Sequence, residues 1–249
     1  MPTTGLFITG TDTGVGKTVV SAGWIRWAVK HGLRVAAMKP VATGGVLRES
    51  QSLRSTDAEL LRAEINIEET WEEVNPYVFT PPVSPNIAAD QAGVVIDIDR
   101  IVERVRMLET RADTVIVEGV GGWRVPLGEE RSIVDLVRGL GYPVVMVVGL
   151  RLGCINHALL TFEAITADRI PCLGWVANRL DPTLVEPEAV LATLAARLAI
   201  PCLGVIPMLT TPEIGAVADA LRPPEPSIHP GDPEGPRQAR TGDCRIPSG

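Results

Sequence analysis

The sequence has few of the residues that build metal centres and lacks the long apolar runs of membrane spans. Its four cysteines show no CxxC or other metal-binding spacing, and its three histidines are scattered, which gives no support for a transition-metal site. The longest strongly apolar run, Val144–Leu150, is far too short to cross a bilayer. No basic segment with a following apolar stretch marks a secretory signal near Met1. We therefore expect a cytoplasmic protein with reduced thiols.

The chain also lacks the positive charge that nucleic-acid-binding proteins carry. Its net charge is −7 at pH 7, and such a surface repels phosphates, so we expect neither nucleic acid nor a membrane among its partners. Hydrophobic residues make up 45% and charged residues 21% of the 249 residues, a balance that can bury a sizeable core. The length suits one large α/β domain, or at most two small ones.

Short apolar segments alternate with amphipathic ones along most of the chain. The predicted strands are Leu6–Thr9, Val35–Lys39, Thr114–Glu118, Val144–Gly149, Cys172–Asn178 and Cys202–Ile206. The predicted helices are Lys17–His31, Asp57–Ile65, Ile98–Glu109, Ile133–Gly139, Cys154–Ala167 and Pro187–Leu198. Strands that are apolar nearly throughout are typical of a parallel sheet buried on both faces. The alternation predicts an α/β fold with a doubly wound, mostly parallel sheet flanked by helices.

Three segments interrupt this alternation. Gly44–Thr56 and Asn75–Gly93 are long, polar and contain prolines or glycines, which favours active-site loops. Pro223–Gly249 holds seven prolines and four glycines, and this composition cannot bury enough apolar surface to fold. We predict a single folded domain over residues 1–222 and a disordered tail over 223–249.

The strongest functional signal is a glycine-rich loop, Gly10-Thr11-Asp12-Thr13-Gly14-Val15-Gly16-Lys17-Thr18, between a predicted strand and a predicted helix. Its glycines let backbone N–H groups turn toward phosphate oxygens, and the helix adds its positive end. Lys17 would reach the outer phosphates, and the Thr18 hydroxyl would bind magnesium. Five residues separate Gly10 from Gly16, where the common pattern has four. Gly-Lys-Thr at the strand-to-helix junction nevertheless favours an ATP and magnesium site of the P-loop NTPase type over an empty turn.

Charged residues follow two other predicted strands. Glu118 ends a buried strand and precedes three glycines, which is a position for a second magnesium ligand, although a solvated carboxylate at a turn is the alternative. Lys39 would lie beside Lys17, where the two ammonium groups repel each other unless an anion lies between them. The alternative is a lysine that snorkels to solvent. Asp57 opens a predicted helix, and the helix dipole explains that position equally well.

Several segments, taken in order, carry a resemblance to a known family. They are Gly10–Thr18, Lys39–Gly44, Ser55-Thr56-Asp57, Asn75-Pro76-Tyr77, Val117–Trp123, Leu152–Ala158 and Gly174–Asn178. Together they resemble the dethiobiotin synthetases, ATP-dependent carboxylases of biotin synthesis, over roughly residues 5–215. The segments at Lys39 and at Gly153–Ala158 are much more specific than the phosphate loop.

The resemblance implies a reaction between 7,8-diaminononanoate, carbon dioxide and ATP. One amine would form a carbamate, ATP would convert it to a mixed anhydride, and the second amine would close the ureido ring as phosphate leaves. Positioning and charge stabilisation would supply most of the catalysis. The resemblance also implies a homodimer whose sites are completed across the interface.

The same resemblance implies roles for individual residues. The nucleotide would contact Asp12, Thr13, Gly14, Val15, Gly16, Lys17, Thr18, Glu118, Gly121, Asn178 and Pro207, with Asn178 on the adenine edge. Catalysis would rest on Lys39, Lys17, Thr13 and Thr43, and magnesium would bind Thr18, Asp57 and Glu118. The substrate would contact Thr43 and, from the neighbouring subunit, Gly153, Cys154 and Asn156 at a helix N-terminus.

Two departures and three alternatives accompany this interpretation. Val120 replaces the family's usual alanine and would crowd the substrate amines, and the end from Pro223 would replace the closing helix. An ATPase of the partition or division-site class shares the sheet, but its signature lysine would stand where this chain has Asp12. An amidotransferase-type cobyrinate synthase needs a further domain, for which the chain is too short. A pure nucleotide-binding module has no use for Lys39 beside Lys17.

Overall fold

The computed structural model describes residues 4–49, 52–209, 211 and 213–223. In these ranges the strands are β1 (Thr4–Gly10), β2 (Val35–Met38), β3 (Val41–Thr43), β4 (Val46–Leu47), β5 (Leu53–Arg54), β6 (Tyr77–Phe79), β7 (Thr114–Glu118), β8 (Val144–Leu150), β9 (Cys172–Arg179) and β10 (Cys202–Ile206). The helices are α1 (Lys17–Lys30), α2 (Thr56–Glu64), α3 (Trp71–Val74), α4 (Pro85–Ala92), α5 (Ile98–Glu109), α6 (Ile133–Leu140), α7 (Cys154–Ala167), α8 (Pro187–Arg197) and α9 (Ile214–Ala220).

The centre of the fold is a six-stranded parallel sheet with the order β10-β9-β8-β1-β7-β2. From the central β1 the chain crosses to β2 at one edge and later adds β8, β9 and β10 toward the other edge. The prediction of a doubly wound, parallel α/β sheet is confirmed. All six predicted strands and all six predicted helices are present, with ends that agree within two residues.

Alternate residues of each strand face two separate cores. In β1, Phe7 packs in the core under α5, α6, α7 and α8, whereas Leu6 and Ile8 pack in the core under α1, α2 and α9. The strand residues are buried on both faces, which explains their nearly continuous apolar sequence. Within the described ranges, no helix is long and apolar enough to cross a membrane.

A short helix, α9, packs closely on α1 and was not predicted. A Cβ added to Gly23 of α1 would lie only 2.4 Å from Val217 Cγ1 of α9, so glycine permits this approach. The helix has seven residues and no side-chain cap, which explains why the sequence pattern did not reveal it. It ends at Ala220, before the proline-rich end begins, and the expectation that the end from Pro223 replaces a closing helix stays a prediction. Of the predicted tail over 223–249, residues 224–249 lie outside the described residues, and the tail stays a prediction.

Truncation after Arg222 is expected to leave the melting temperature unchanged to within about 2 °C, because the removed segment has little apolar surface to bury. The shortened chain keeps Leu221, which is 2% exposed, and the bond from Arg222 N–H to the Leu203 carbonyl at 2.7 Å. Truncation after Ala220 removes both and is the matched control, with a clear loss of stability. Thermal unfolding of the two variants tests this, and equal melting temperatures for them would contradict it.

The two predicted active-site loops contain short elements, which corrects their description as loops. Gly44–Thr56 contains the antiparallel pair β4 and β5, and Asn75–Gly93 contains β6, which pairs with β3, together with the helix α4. Strands of two or three residues are too short to show a periodic pattern. Pro85 suggests a helix breaker, yet it occupies the first turn of α4, where its missing N–H costs nothing.

Side chains cover the edge of the sheet at β2. Asn66 Oδ1 accepts from Val35 N–H at 2.8 Å, and Glu69 Oε1 accepts from Ala37 N–H at 3.1 Å. Glu69 is buried, and its Oε2 has no hydrogen-bond partner among the described residues. Burial raises the pKa of Glu69 to about 8, against the opposing effect of the Ala37 N–H. Capping of this kind prevents pairing with another strand.

Glu69→Gln is expected to raise the melting temperature at pH 9 by roughly 2–6 °C. The pKa of Glu69 in the folded chain lies above its value in the unfolded chain. Between the two pKa values the unfolded chain releases the proton more readily than the folded chain, so the free energy of unfolding falls as the pH rises toward 8. Glutamine keeps the acceptor for Ala37 and cannot ionise. At pH 5 the variant and the wild type should melt within about 2 °C of each other. An equal difference at both pH values would contradict this assignment.

Candidate nucleotide and substrate site

The candidate site lies where the carboxyl ends of β1, β7 and β2 meet, the usual ligand position in such sheets. The register pairs Ile8 with Glu118 and Met38 with Val117, so Lys39, which follows Met38, comes to lie beside Glu118. A cavity of about 820 Å³ opens there. The predicted residues that line it are Thr13, Gly14, Gly16, Lys17, Thr18, Lys39, Thr43, Asp57, Glu118 and Gly121.

The phosphate loop has the backbone geometry that its glycines permit. Gly14 and Gly16 have φ values of 72° and 90°, which other residues rarely adopt. A Cβ at Gly16 would also lie 2.0 Å from Asn178 Nδ2. That amide donates to the Val15 carbonyl at 3.0 Å and so supports the loop from β9. Alanine at Gly16 would therefore strain the backbone and displace the Asn178 amide.

Lys17 brings a buried positive charge to the mouth of the cavity. Lys17 is 6% exposed, and its ammonium donates to the backbone carbonyl of Asp12 at 3.0 Å. Burial and the nearby charge of Lys39 lower the pKa of Lys17 to about 8. No salt bridge among the described residues involves Lys17. A buried ammonium without a carboxylate partner has much to gain from a bound anion.

Lys39 is also buried, but its ammonium has three oxygen partners. It donates to Glu118 Oε1 at 2.6 Å, to Asp57 Oδ2 at 2.8 Å and to the Gly119 carbonyl at 3.0 Å. Burial alone would lower the pKa of Lys39, but the two carboxylates outweigh it and raise the pKa. The three bonds use every donor of the ammonium. One of them must open before Lys39 can contact a carbamate, a requirement that the sequence did not reveal.

The three predicted magnesium ligands form one cluster of oxygen donors. Thr18 Oγ1 donates to Glu118 Oε1 at 2.8 Å, and Lys39 joins Glu118 to Asp57. Burial tends to raise the pKa of Asp57, but the charge and hydrogen bond of Lys39 lower it below its usual value. Glu118 is fully buried, and its Oε2 has no partner within the described ranges. Two carboxylates and a hydroxyl are hard oxygen donors, and they fit a magnesium ion.

Four predicted nucleotide contacts lie outside the cavity lining. The Val15 side chain packs in the core, and Asn178 lies beneath the loop. Pro207 is exposed after β10 and precedes Met208, which lines a smaller groove of about 250 Å³ at the ends of β8 and β9. Asp12 does not line the cavity either, and its carboxylate contacts Arg151.

Comparison with known proteins decides the family. A family model described as an AAA domain matches residues 4–213. The chain is 50% identical over 216 residues to the ATP-dependent dethiobiotin synthetase BioD of Pseudomonas paraeruginosa, covering 86% of this chain and 94% of that protein. It is likewise 50% identical over 204 residues to the protein of the same name from Nitrosospira multiformis, covering 82% and 88%. The chain belongs to the dethiobiotin synthetase family.

Membership of this family confirms the resemblance drawn from the motifs. A solved MinC:MinD cell division complex from Aquifex aeolicus is similar in fold, with a TM-score of 0.54 and 18% identity over 88% of this chain and 87% of that one. Identity this low shows the shared P-loop NTPase fold alone. It gives no support to a partition or division-site function, for which the lysine expected at Asp12 is missing.

Family resemblance also implied three substrate contacts at the start of α7, and none of them lines the cavity of its own chain. Gly153 precedes the helix with a φ of 92°, and Asn156 is exposed in its first turn. The Cys154 thiol is buried in the core, and the backbone N–H of Cys154 donates to the Arg151 carbonyl at 3.0 Å. Of the three, Gly153 and Asn156 are therefore exposed and the Cys154 side chain is not.

The structure adds residues to the site that the motifs did not identify. Val83, Ser84 and Pro85 reach the cavity from the start of α4, and Leu60 reaches it from α2. The first three lie within Asn75–Gly93, which was predicted as an active-site loop without any single residue being named as a site residue. A different residue, Arg151, follows β8 as Lys39 follows β2, so the strand-end rule was the signal that could have found it.

Proposed function

We propose that the protein is an ATP-dependent dethiobiotin synthetase, a ligase that forms the cyclic urea of dethiobiotin from 7,8-diaminononanoate, carbon dioxide and ATP. The observation that carries this proposal is the meeting of Lys17 and a second buried lysine, Lys39, at one cavity. A nucleotide switch needs the phosphate loop alone. A second cation beside it suits a second anionic reactant, such as a carbamate. The name shared by relatives 43–50% identical to this chain supports the same conclusion.

The proposed reaction proceeds in three steps that balance in atoms and charge. An amine nitrogen attacks carbon dioxide and loses a proton, which gives a carbamate. A carbamate oxygen attacks the γ-phosphorus of ATP as ADP leaves, which gives a carbamic–phosphoric mixed anhydride. The second amine attacks its carbonyl carbon, loses a proton and expels phosphate. No step forms a bond to the protein, so catalysis requires positioning and stabilisation of negative charge.

The predicted site residues of the cavity have proposed parts in these steps. The N–H groups of the phosphate loop and Lys17 hold the phosphates, and Thr13 and Gly121 border the transferred phosphoryl group. Thr43 and Lys39, once one of its three bonds opens, orient the carbamate. Val120 lines the same cavity and narrows the space for the amines.

The nucleotide also needs a metal ion and a place for its base. Thr18, Asp57 and Glu118 would hold magnesium, which when bound neutralises charge on the β- and γ-phosphates. Asn178 donates one N–H to the loop. Its carbonyl oxygen and second N–H would bind the adenine edge, and Pro207 would border the base.

A homodimer is part of the proposal, because the predicted contacts for the substrate carboxylate lie away from the cavity of the same chain. The first-turn N–H groups of α7 and the Asn156 amide would bind the carboxylate of a substrate held in the partner's cavity. We further propose that the enzyme acts in the cytoplasm, where a reducing environment keeps Cys154, Cys172 and Cys202 as the free thiols found here.

A single incubation tests the proposed function. The purified protein is mixed with 7,8-diaminononanoate, bicarbonate, magnesium and ATP, and the ureido product and ADP are measured by mass spectrometry. We expect equal amounts of both, and none when the diamine or magnesium is left out. ATP hydrolysis that does not depend on the diamine, with no ureido product, would contradict the proposal.

A further inference from the structure

The phosphate loop contains a negative charge of its own, at Asp12. A carboxylate inside a polyanion-binding loop repels the ligand unless a cation neutralises it. Asp12 is also joined to two groups that the loop offers to phosphate. Its Oδ1 accepts from Thr13 N–H at 2.7 Å, and its backbone carbonyl accepts from the Lys17 ammonium at 3.0 Å. Asp12 is therefore in direct contact with both groups, through its carboxylate and through its backbone.

Arg151 is the cation that neutralises Asp12. Because Gly10 pairs with Val147 in the sheet, the residue that follows β8 comes to lie beside the loop that follows β1. A guanidinium N–H of Arg151 donates to Asp12 Oδ2. Both side chains are half-exposed, 40% for Arg151 and 45% for Asp12, and an ion pair this exposed adds little to stability. We therefore expect the ion pair to affect the phosphate loop rather than the stability of the fold.

We propose that Arg151 is a positioning residue for ATP, which neutralises Asp12 and holds it away from the phosphates. This inference rests on the proposed function only in taking the polyanion to be ATP. Without Arg151, the Asp12 carboxylate stays in the loop as an unpaired charge that opposes the incoming phosphates. The defect should then be relieved by removing the charge of Asp12, which is a result that a purely structural role of Arg151 does not predict.

Calorimetric titration with a non-hydrolysable ATP analogue and magnesium tests this. We expect Arg151→Ala to weaken binding about tenfold, and Asp12→Asn in the same chain to restore most of the loss. The affinity of Arg151→Lys should stay within about threefold of wild type, because lysine keeps the positive charge. The remaining loss reflects the missing planar fork of the guanidinium. In turnover assays, Arg151→Ala should raise the KM for ATP by a similar factor and leave kcat within about twofold.

Arg34→Ala is the matched control, because it removes a half-exposed ion pair with Asp113 at the opposite end of the sheet. It should bind the analogue as the wild type does. The proposal is overturned if Arg151→Ala binds normally, or if Asp12→Asn fails to restore its affinity. A protein that shows the expected pattern of affinities but makes no ureido product would overturn the proposed function and support this inference.

Discussion

Lys17→Met is expected to lower ureido formation by at least about 10²-fold, because it removes the charge that faces the transferred phosphoryl group. Its effect on stability should be small. The buried ammonium has a lowered pKa and no described carboxylate partner, so methionine replaces an unfavourable charge with an apolar chain of similar length. Turnover by mass detection and thermal unfolding of the same preparation measure the two effects.

Two further lysine variants sharpen this expectation. Lys30 lies on the same helix, α1, in an exposed ion pair with Asp219. Lys30→Met should therefore form the ureido product at the wild-type rate. Lys39→Met should lose both turnover and stability, because Glu118 would remain buried without its cation, at a cost of about 3 kcal/mol or more. Lys17→Met with more than a tenth of wild-type turnover would remove Lys17 from the proposed mechanism.

Mixing two inactive variants is expected to restore activity. In the proposed dimer, Lys17→Met damages the cavity of its own chain, whereas Asn156→Asp puts a repelling charge where the partner's substrate carboxylate binds. After subunit exchange, a heterodimer contains one site with an intact Lys17 and an intact Asn156 of the partner subunit. Random exchange of equal amounts makes such sites about one quarter of the total, which sets the expected recovery.

The matched control mixes Lys17→Met with Glu118→Gln. These two residues lie in the same cavity, so every heterodimer site carries one of the two changes and no activity should return. Native mass spectrometry confirms that exchange has taken place in both mixtures. Equal recovery in the two mixtures, or none in the first despite complete exchange, would exclude a shared site.

The parts of the fold that follow from local pattern were predictable. Strands such as β8 are apolar throughout, and the rule that ligands bind beyond strand ends led from the sequence to Lys39 and Glu118. The pair β3 and β6 was missed because three residues show no period. The three bonds of Lys39 were missed because they depend on where α2 places Asp57 relative to the sheet.

Contacts between distant segments were the least predictable part of the site. Asp12 and Arg151 meet only because β1 and β8 are neighbours in the sheet, an order that the sequence does not state. The start of α7 follows a recognisable motif, but its distance from the cavity becomes evident only in three dimensions. Its proposed role needs a second subunit, which the family resemblance implied but which periodicity and spacing within one chain do not reveal.

The central position of β1 governs the order of events during synthesis of the chain. Thr4 pairs with Thr114 and Phe7 with Val144, so β1 has no sheet partner until more than a hundred further residues have been synthesised. At about 5–20 residues per second, this wait is on the order of ten seconds. Even the hydrogen bond that Thr11 N–H makes to the Val147 carbonyl must wait for β8. Nascent chains released before that point should therefore fail to bind nucleotide, although they already carry every residue of the phosphate loop.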